Sequence, residues 1–424
     1  MTTAELLSFK QKALQWANQF DTCCYLDSNG YKDKYAKYDL IIAVGSKSQL
    51  IGNCGHAFND LRDFYTINCK QWIFGFLGYD LKNELENLYS AQVSELDFPD
   101  LFFFIPEYLM IVKDNQPQVI IGPANLIEII CSYTENTTVS LEQPCIKVKI
   151  DKDTYLNKVE ELKASILKGD IYEINFCQEF FAKNAEINPY QVYNTLNALS
   201  PTPFSGFFKL KEKYILSASP ERFLCKRGNK LFSQPIKGTA KRSFDEAEDE
   251  QIRNGLKNNS KEKAENVMIV DLVRNDLTKS ALSGSVKVEE LFGIYTFPQV
   301  HQMISTVSCT LDPNTHVVDA IKNAFPMGSM TGAPKLRAMQ LIEEVEESRR
   351  GIYSGALGYF DPEGDFDFNV IIRSIIYNKQ NKYLSFQVGG AITYASIAEA
   401  EYEECMLKAS AMIKTLSLSN GLAR

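Results

Sequence analysis

The sequence predicts an α+β protein of layered antiparallel β-sheets with flanking helices, on three observations. Apolar residues alternate at period two through many short segments, strands follow strands directly, and the long helices never set up the strand–helix–strand rhythm of a parallel sheet. A chain of 424 residues, 45% hydrophobic and 23% charged, buries a large core as one composite unit or as two to three conventional domains.

Taken in order, residues 1–145 read as an N-terminal region of short apolar strands with irregular connections. The opening "MTTAELLSFKQKALQWANQF" mixes acids, bases and amides in an amphipathic helical pattern and lacks the apolar run of a signal peptide. The most apolar stretch, Phe98 to Val112, is interrupted by Asp100, Pro106 and Glu107, and is too short and too polar to span a bilayer. The polar "TENTTVSLEQP" then connects to the second region, residues 146–424, where elements become longer and more regular. "DTYLNKVEELKASILKGD" sets Leu156, Val159, Leu162 and Ile166 at helical spacing and stops at Gly169. "IYEINFCQEFF" places Tyr172, Ile174, Phe176 and Phe180 on one side of a strand. Further strands are expected at "YILSAS", "TVSCTL", "YSGALGYF", "FNVIIRSIIYN" and "YLSFQVGGAITYA". Helices are expected from Asp245 to Leu277 with an interruption near Asn258 to Ser260, from Pro334 to Arg350, and from Ile397 to about Leu416.

The net charge of −8 argues against a surface that tracks nucleic-acid phosphates, so an anionic ligand must be held by a local site. Ten scattered cysteines without a C-x-x-C pair or metal-type spacing fit free thiols in a reducing cytoplasm. Asn136 and Asn258 stand in formal glycosylation sequons that carry no weight without a secretory signal.

Several segments carry candidate chemistry. Glu262 and Glu265 are three apart on one expected helix, and Glu401, Glu404 and Lys408 follow at offsets of zero, three and seven on another, so each helix turns two carboxylates to one side. Four such oxygen donors suit a hard cation such as Mg²⁺, although solvated faces often carry the same spacing. "MGSMTGAPK" fails the phosphate-loop spacing; Pro334 reads better as the first residue of a helix whose free amides can face an anion. "VGGA", Val388 to Ala391, is either a tight turn or a place where a ligand approaches the backbone. Of three histidines, His301 lies beside a strand start, where it is a structural group or one that orients a hydroxyl or moves a proton. Arg373, among isoleucines on a strand expected to be buried, needs a carboxylate from the protein or from a ligand. Lys237, in "FSQPIKGTAKR", is either a solvated charge near a strand end or a reactive amine.

The ordered set "ILKGDIYEINFCQEF", "SASPERFL", "PIKGT", "EKAENVMIVDLVRNDL", "FPMGSMTGAPKLRAM", "YSGALGYF", "IIRS", "VGGAITYAS" and "AEYEECMLKA" resembles the chorismate-utilising enzymes, the family of anthranilate, aminodeoxychorismate, isochorismate and salicylate synthases. It covers most of 146–418, and "GFLGYDLKNELE" extends it weakly into the N-terminal region. The resemblance implies Glu265 and Glu404 as Mg²⁺ ligands, with Glu262 and Glu401 reached through waters. It further implies backbone donors around Gly389, Gly390 and Ala391, together with Lys408, for the ring carboxylate of chorismate. Arg373 and Tyr353 are similar to the pair that holds the enolpyruvyl carboxylate, and His301 and Ser329 to residues lining the same pocket.

"PIKGT" resembles the aminodeoxychorismate synthase branch, where anthranilate synthases typically carry alanine in place of Lys237. There the lysine attacks C2 of chorismate while the C4 hydroxyl leaves, protonated by the acid that Glu221 of "SPERF" matches. Ammonia then enters at C4, giving 4-amino-4-deoxychorismate, precursor of the para-aminobenzoate unit of folates. A nucleophilic amine must be neutral, so Lys237 is expected to have its pKa lowered by desolvation or a neighbouring cation, and Glu221 to stay protonated. Glu173 stands where isochorismate-type enzymes carry a water-activating lysine and others a glutamine; Asn266 and Ala395 replace a frequent histidine and aspartate. The chain shows no glutaminase triad, so ammonia is expected from a separate glutamine amidotransferase subunit. An anthranilate synthase and a non-catalytic chorismate-binding homologue are the rival readings, and product analysis separates them.

Overall fold

The computed structural model describes residues 1–133, 143–297 and 300–418, so most of the polar "TENTTVSLEQP" connection, with Asn136, lies outside the described residues. Two large sheets, one of 11 strands and one of 10, are joined by antiparallel pairings. Alternate residues of one strand serve different layers. Phe102 and Phe104 of strand Leu101–Ile105 point into the space between the sheets, whereas Leu101, Phe103 and Ile105 point outward to a second cluster. Phe208 of the opposite sheet meets Phe76, Phe102 and Phe104 edge-on, with ring centroids 5.3, 6.0 and 6.2 Å away.

Helices cover both outer faces, which explains strands apolar on both sides. Helices Lys152–Leu167, Pro189–Leu199 and Ala398–Leu418 pack on the 11-stranded sheet through Tyr155, Val159, Leu196, Cys405 and Met412. Helices Ala57–Asn68, Ser260–Thr278 and Val317–Ala324 pack on the other through Phe58, Leu61, Val270, Val273 and Ile321. The expected change of texture near residue 145 is not a change of layer. Strand Thr22–Asp27 pairs with Phe204–Leu210, and Ile73–Leu77 pairs with Ala356–Phe360, so both sheets draw on both regions.

Several expected elements need correction. "FNVIIRSIIYN" is not one strand: Phe366–Val370 belongs to the 10-stranded sheet and Ser374–Asn378 to the 11-stranded one. The chain crosses between them at Arg373, whose φ of 49° lies in the left-handed region that residues other than glycine seldom adopt. Pro334 caps its helix rather than beginning it, and the helix ends early, spanning Lys335–Val345. Val388 to Ala391 is no turn; it continues strand Tyr383–Thr393. Tyr172 is 67% exposed, unlike Ile174, Phe176 and Phe180, because it precedes strand Glu173–Ala182. The break expected near Asn258 is present, where Asn259 ends helix Glu246–Asn258 and caps Ser260–Thr278. Among the described residues no helix is long and apolar enough to cross a membrane, and all ten cysteines are free.

Candidate active site

The site forms where the chain passes from one sheet to the other. Glu221 occupies the crossover between strands Lys213–Ser219 and Arg222–Arg227, and Arg373 the crossover after Phe366–Val370. The backbone N–H of Val370 donates to the Glu221 carbonyl at 3.0 Å, tying the two crossovers together. Neither residue can pair regularly in either sheet, so each side chain turns toward the gap.

Lys237 enters the gap from strand Ile236–Lys241, at the margin of the 10-stranded sheet. It is not a loop lysine. Its side chain is only 10% exposed, and its ammonium is ion-paired with buried Glu173 on the 11-stranded sheet. Burial alone would lower its pKa, but Glu173, Glu265 and Glu221 together raise it. That is opposite to the expected direction, because the surrounding carboxylates outweigh the effect of burial. Glu221 follows its expectation: burial pushes its pKa up to about 7 against the opposing pull of Ser329, Lys237 and Arg373. The Ser329 hydroxyl lies beside the Glu221 carboxyl but makes no regular hydrogen bond, leaving a buried polar atom unpartnered. Arg373 makes no side-chain hydrogen bond or ion pair among the described residues; burial lowers its pKa, with the Glu221 charge opposing.

Glu262 and Glu401 stand in the first turns of helices Ser260–Thr278 and Ala398–Leu418, with Glu265 and Glu404 one turn further along. Glu401 and Glu265 are 4% and 7% exposed, and Oε1 of Glu265 has no hydrogen-bond partner. Burial drives the pKa of Glu265 up to about 7 and raises that of Glu262, whereas Lys408 holds Glu404 below the usual carboxylate value. Lys408 donates to Glu404 and to the Gly389 carbonyl, each at 2.8 Å. A Cβ on Gly390 would lie 3.6 Å from Glu401, 3.7 Å from Lys408 and 4.0 Å from Glu404, so the glycine keeps space open beside the carboxylates. Gly389 is fixed by packing instead, since its Cβ would come within 2.2 Å of the Phe176 carbonyl.

These groups fit a hard divalent cation. The donors are carboxylate oxygens, one is buried and unsatisfied, and a glycine keeps the approach clear. Mg²⁺ takes one or two carboxylates and fills its remaining positions with water and substrate, so a tight trio of acids is not required. Such a trio exists elsewhere: Asp361, Glu363 and Asp365, whose oxygens gather within 4.8 Å of one another, are all ion-paired to Lys37.

Tyr353 is buried with its hydroxyl 3.5 Å from Cys177 Sγ, beneath the strand pair that carries Gly389 to Ala391. Arg350 stiffens this floor, donating to the carbonyls of Asn175 and Met330 and to Glu346, which in turn accepts from the Cys177 N–H. His301 is not brought into contact with Lys237 or Glu221. Its two ring nitrogens lie 3.0 Å from Thr296 Oγ1 and 3.0 Å from Asp249 Oδ1, which ties it to helix Glu246–Asn258. Lys335 of "GAPK" donates to Asp276 and to the Ala324 and Pro326 carbonyls. Asn266, where a histidine is frequent, is fully buried and accepts from Ser305 Oγ at 2.6 Å.

Sequence reasoning missed two participants, Glu173 as the partner of Lys237 and Lys261 as a bridge between Glu401 and Glu265 at 3.1 and 3.8 Å. Glu173 had a signal in its departure from the usual glutamine, but its partner lies 64 residues away on the other sheet.

Residues 21–414 match the family described as chorismate binding enzyme. The chain is 35% identical, over 81% of its length and 76% of the relative's, to aminodeoxychorismate synthase component 1 of Escherichia coli. It is 37% identical, over 70% of its length and 57% of the relative's, to anthranilate synthase component 1 of Bacillus subtilis. The crystal structure of anthranilate synthase component I from Streptococcus pneumoniae superposes with a TM-score of 0.77 at 25% identity, covering 90% of this chain and 93% of that one. With a match that spans both sheets and every element around the gap, the chain belongs to the chorismate binding enzyme family.

Proposed function

We propose that the protein is an aminodeoxychorismate synthase of the component I type, which replaces the C4 hydroxyl of chorismate by an amino group. The observation that carries this reading is the burial of Lys237 at the convergence of Glu173, Glu221 and Glu265, with Glu221 poised near pKa 7. A buried amine facing a carboxyl that is partly protonated at neutral pH suits nucleophilic attack coupled to departure of a hydroxyl.

In this mechanism the Lys237 ammonium first gives a proton to Glu173, its hydrogen-bonded neighbour. The freed Nζ bonds to C2, both ring double bonds shift by one position around the far side of the ring, and the C4–O bond breaks as Glu221 donates the proton that makes the leaving group water. Ammonia then bonds to C4, both double bonds shift back, and Lys237 leaves C2 as an amine. Arg373, lacking a carboxylate in contact among the described residues, is free to take the enolpyruvyl carboxylate, with Tyr353 as the second residue for that group. The backbone at Gly389 to Ala391 and Lys408 orient the ring carboxylate. Mg²⁺, held by Glu265 and Glu404 and through water by Glu262 and Glu401, would supply the positive charge that receives that carboxylate. The ammonia would come from a glutamine amidotransferase partner, in keeping with the component 1 naming of the relatives.

An anthranilate synthase is the second reading, favoured by the 37% identity to such an enzyme. Purified protein given chorismate, Mg²⁺ and ammonium at mildly alkaline pH, with products resolved by chromatography and mass spectrometry, separates them. Aminodeoxychorismate is the expected product; anthranilate with pyruvate would overturn the proposal.

A further inference from the structure

We infer that Lys261 is a resident counter-cation, an ammonium group that occupies the position between Glu265 and Glu401 in the metal-free protein and is displaced to solvent when a divalent cation binds there. This rests on reading the two glutamate pairs as the holders of that cation.

Lys261 lies in the first turn of helix Ser260–Thr278, and its Nζ reaches Glu401 of helix Ala398–Leu418 at 3.1 Å and Glu265 of its own helix at 3.8 Å. It bridges the same two helices whose carboxylates would share the cation. Both acceptors are buried, and two buried carboxylates without a nearby positive charge are strongly unfavourable, so the metal-free helix pair needs a substitute cation. The other two ammonium groups nearby are anchored: Lys237 is deeply buried against Glu173, and Lys408 is held by the Gly389 carbonyl as well as Glu404. Lys261 bonds only to carboxylates and its side chain is 41% exposed, so its flexible stem can swing into water without leaving a backbone acceptor unpaired. The site is only partly satisfied by it, because 3.8 Å is beyond hydrogen-bond reach and Oε1 of Glu265 remains unpartnered. A doubly charged ion with a compact shell can serve both carboxylates, and it repels an ammonium left in the same place.

The test uses the full-length protein and two readouts that need no turnover. Amine acetylation at Lys261, quantified by peptide mass spectrometry against exposed Lys168, should rise several-fold when Mg²⁺ is added. Lys261→Met should tighten Mn²⁺ binding, read by electron paramagnetic resonance, by about ten-fold through loss of the competing charge. It should also lower the thermal stability of the metal-free protein only. Wild-type protein that binds Mn²⁺ while Lys261 acetylation stays level or falls would overturn the inference and leave the cation site standing. If neither wild type nor Lys261→Met binds Mn²⁺, the cation site fails and takes this inference with it. Mn²⁺ binding by the variant alone would overturn the displacement, because Lys261 would then block the site rather than yield it.

Discussion

Two acidic clusters in this protein each contain lysine, and they differ in what is left over. In the turn after strand Ala356–Phe360, Lys37 meets Asp361, Glu363 and Asp365 at 2.9, 2.9 and 2.7 Å. The remaining oxygens of the two aspartates are also used: Asp361 accepts the N–H groups of Glu363 and Asp365, and Asp365 accepts the N–H of Gly228. Between helices Ser260–Thr278 and Ala398–Leu418 the acids are more dispersed, yet Glu265 keeps a buried unpartnered oxygen and Gly390 keeps space clear. The tighter cluster is the closed one. Proximity of acids therefore signals a structural junction as readily as a ligand site; unsatisfied valence beside open space is what separates them.

Perturbing each cluster sharpens the contrast. The largest effect is expected at the centre of the open one, where Lys237→Ala should lower C4 amination by on the order of 10³-fold or more. Chorismate and Mg²⁺ binding should persist, and calorimetry with steady-state kinetics checks both; near-wild-type turnover would remove Lys237 from the chemistry.

Next comes a paired substitution. Asp365→Asn in the closed cluster should cost about 1–3 kcal/mol in urea unfolding, because it leaves buried donors poorly matched, while Mn²⁺ binding stays at the wild-type level. Glu265→Gln in the open cluster should do the reverse, abolishing Mn²⁺ binding with stability kept or raised. Equal stability losses in the two variants would erase the distinction drawn between the clusters.

A pH series isolates Glu221. Its carboxyl is shifted from 4.5 in the unfolded chain up to about 7 in the fold, so the folded state binds the extra proton between those values. The associated stability is fully present below pH 4.5 and lost as pH rises through 7, by up to about 3 kcal/mol. Glu221→Gln should match wild type near pH 4.5 and exceed it at pH 8; a gap independent of pH would show that the carboxyl is not raised. The smallest effect is expected from Gly390→Ala, whose Cβ makes ordinary contacts of 3.6 to 4.0 Å. Stability should change by less than about 1 kcal/mol, while chorismate binding weakens as the open space fills. Unaltered affinity in a titration would detach Gly390 from the ligand.

How much could be read beforehand follows from the range of the interactions. Helix Lys152–Leu167 and strand Tyr383–Thr393 were legible because periodicity is local, and the glutamates at offsets of three were legible because a helix puts them on one side. "FNVIIRSIIYN" misled because both halves are buried and apolar, so nothing in the run marks the passage from one sheet to the other at Arg373. His301 reads as a candidate by its neighbours in sequence, but Asp249 of helix Glu246–Asn258 meets its ring from far along the chain.

By itself the sequence determined the fold class, the family and the identity of the charged groups, since each depends on residue types and short spacings. Only the tertiary structure decided which charges meet. It joined Lys237 to Glu173 across two sheets and Lys261 to Glu401 across two helices, and it closed Lys37 over its acids. Surrounding carboxylates raise the pKa of Lys237 and burial raises that of Glu221, because burial and Coulomb interaction act through space at a few ångströms and are blind to distance along the chain.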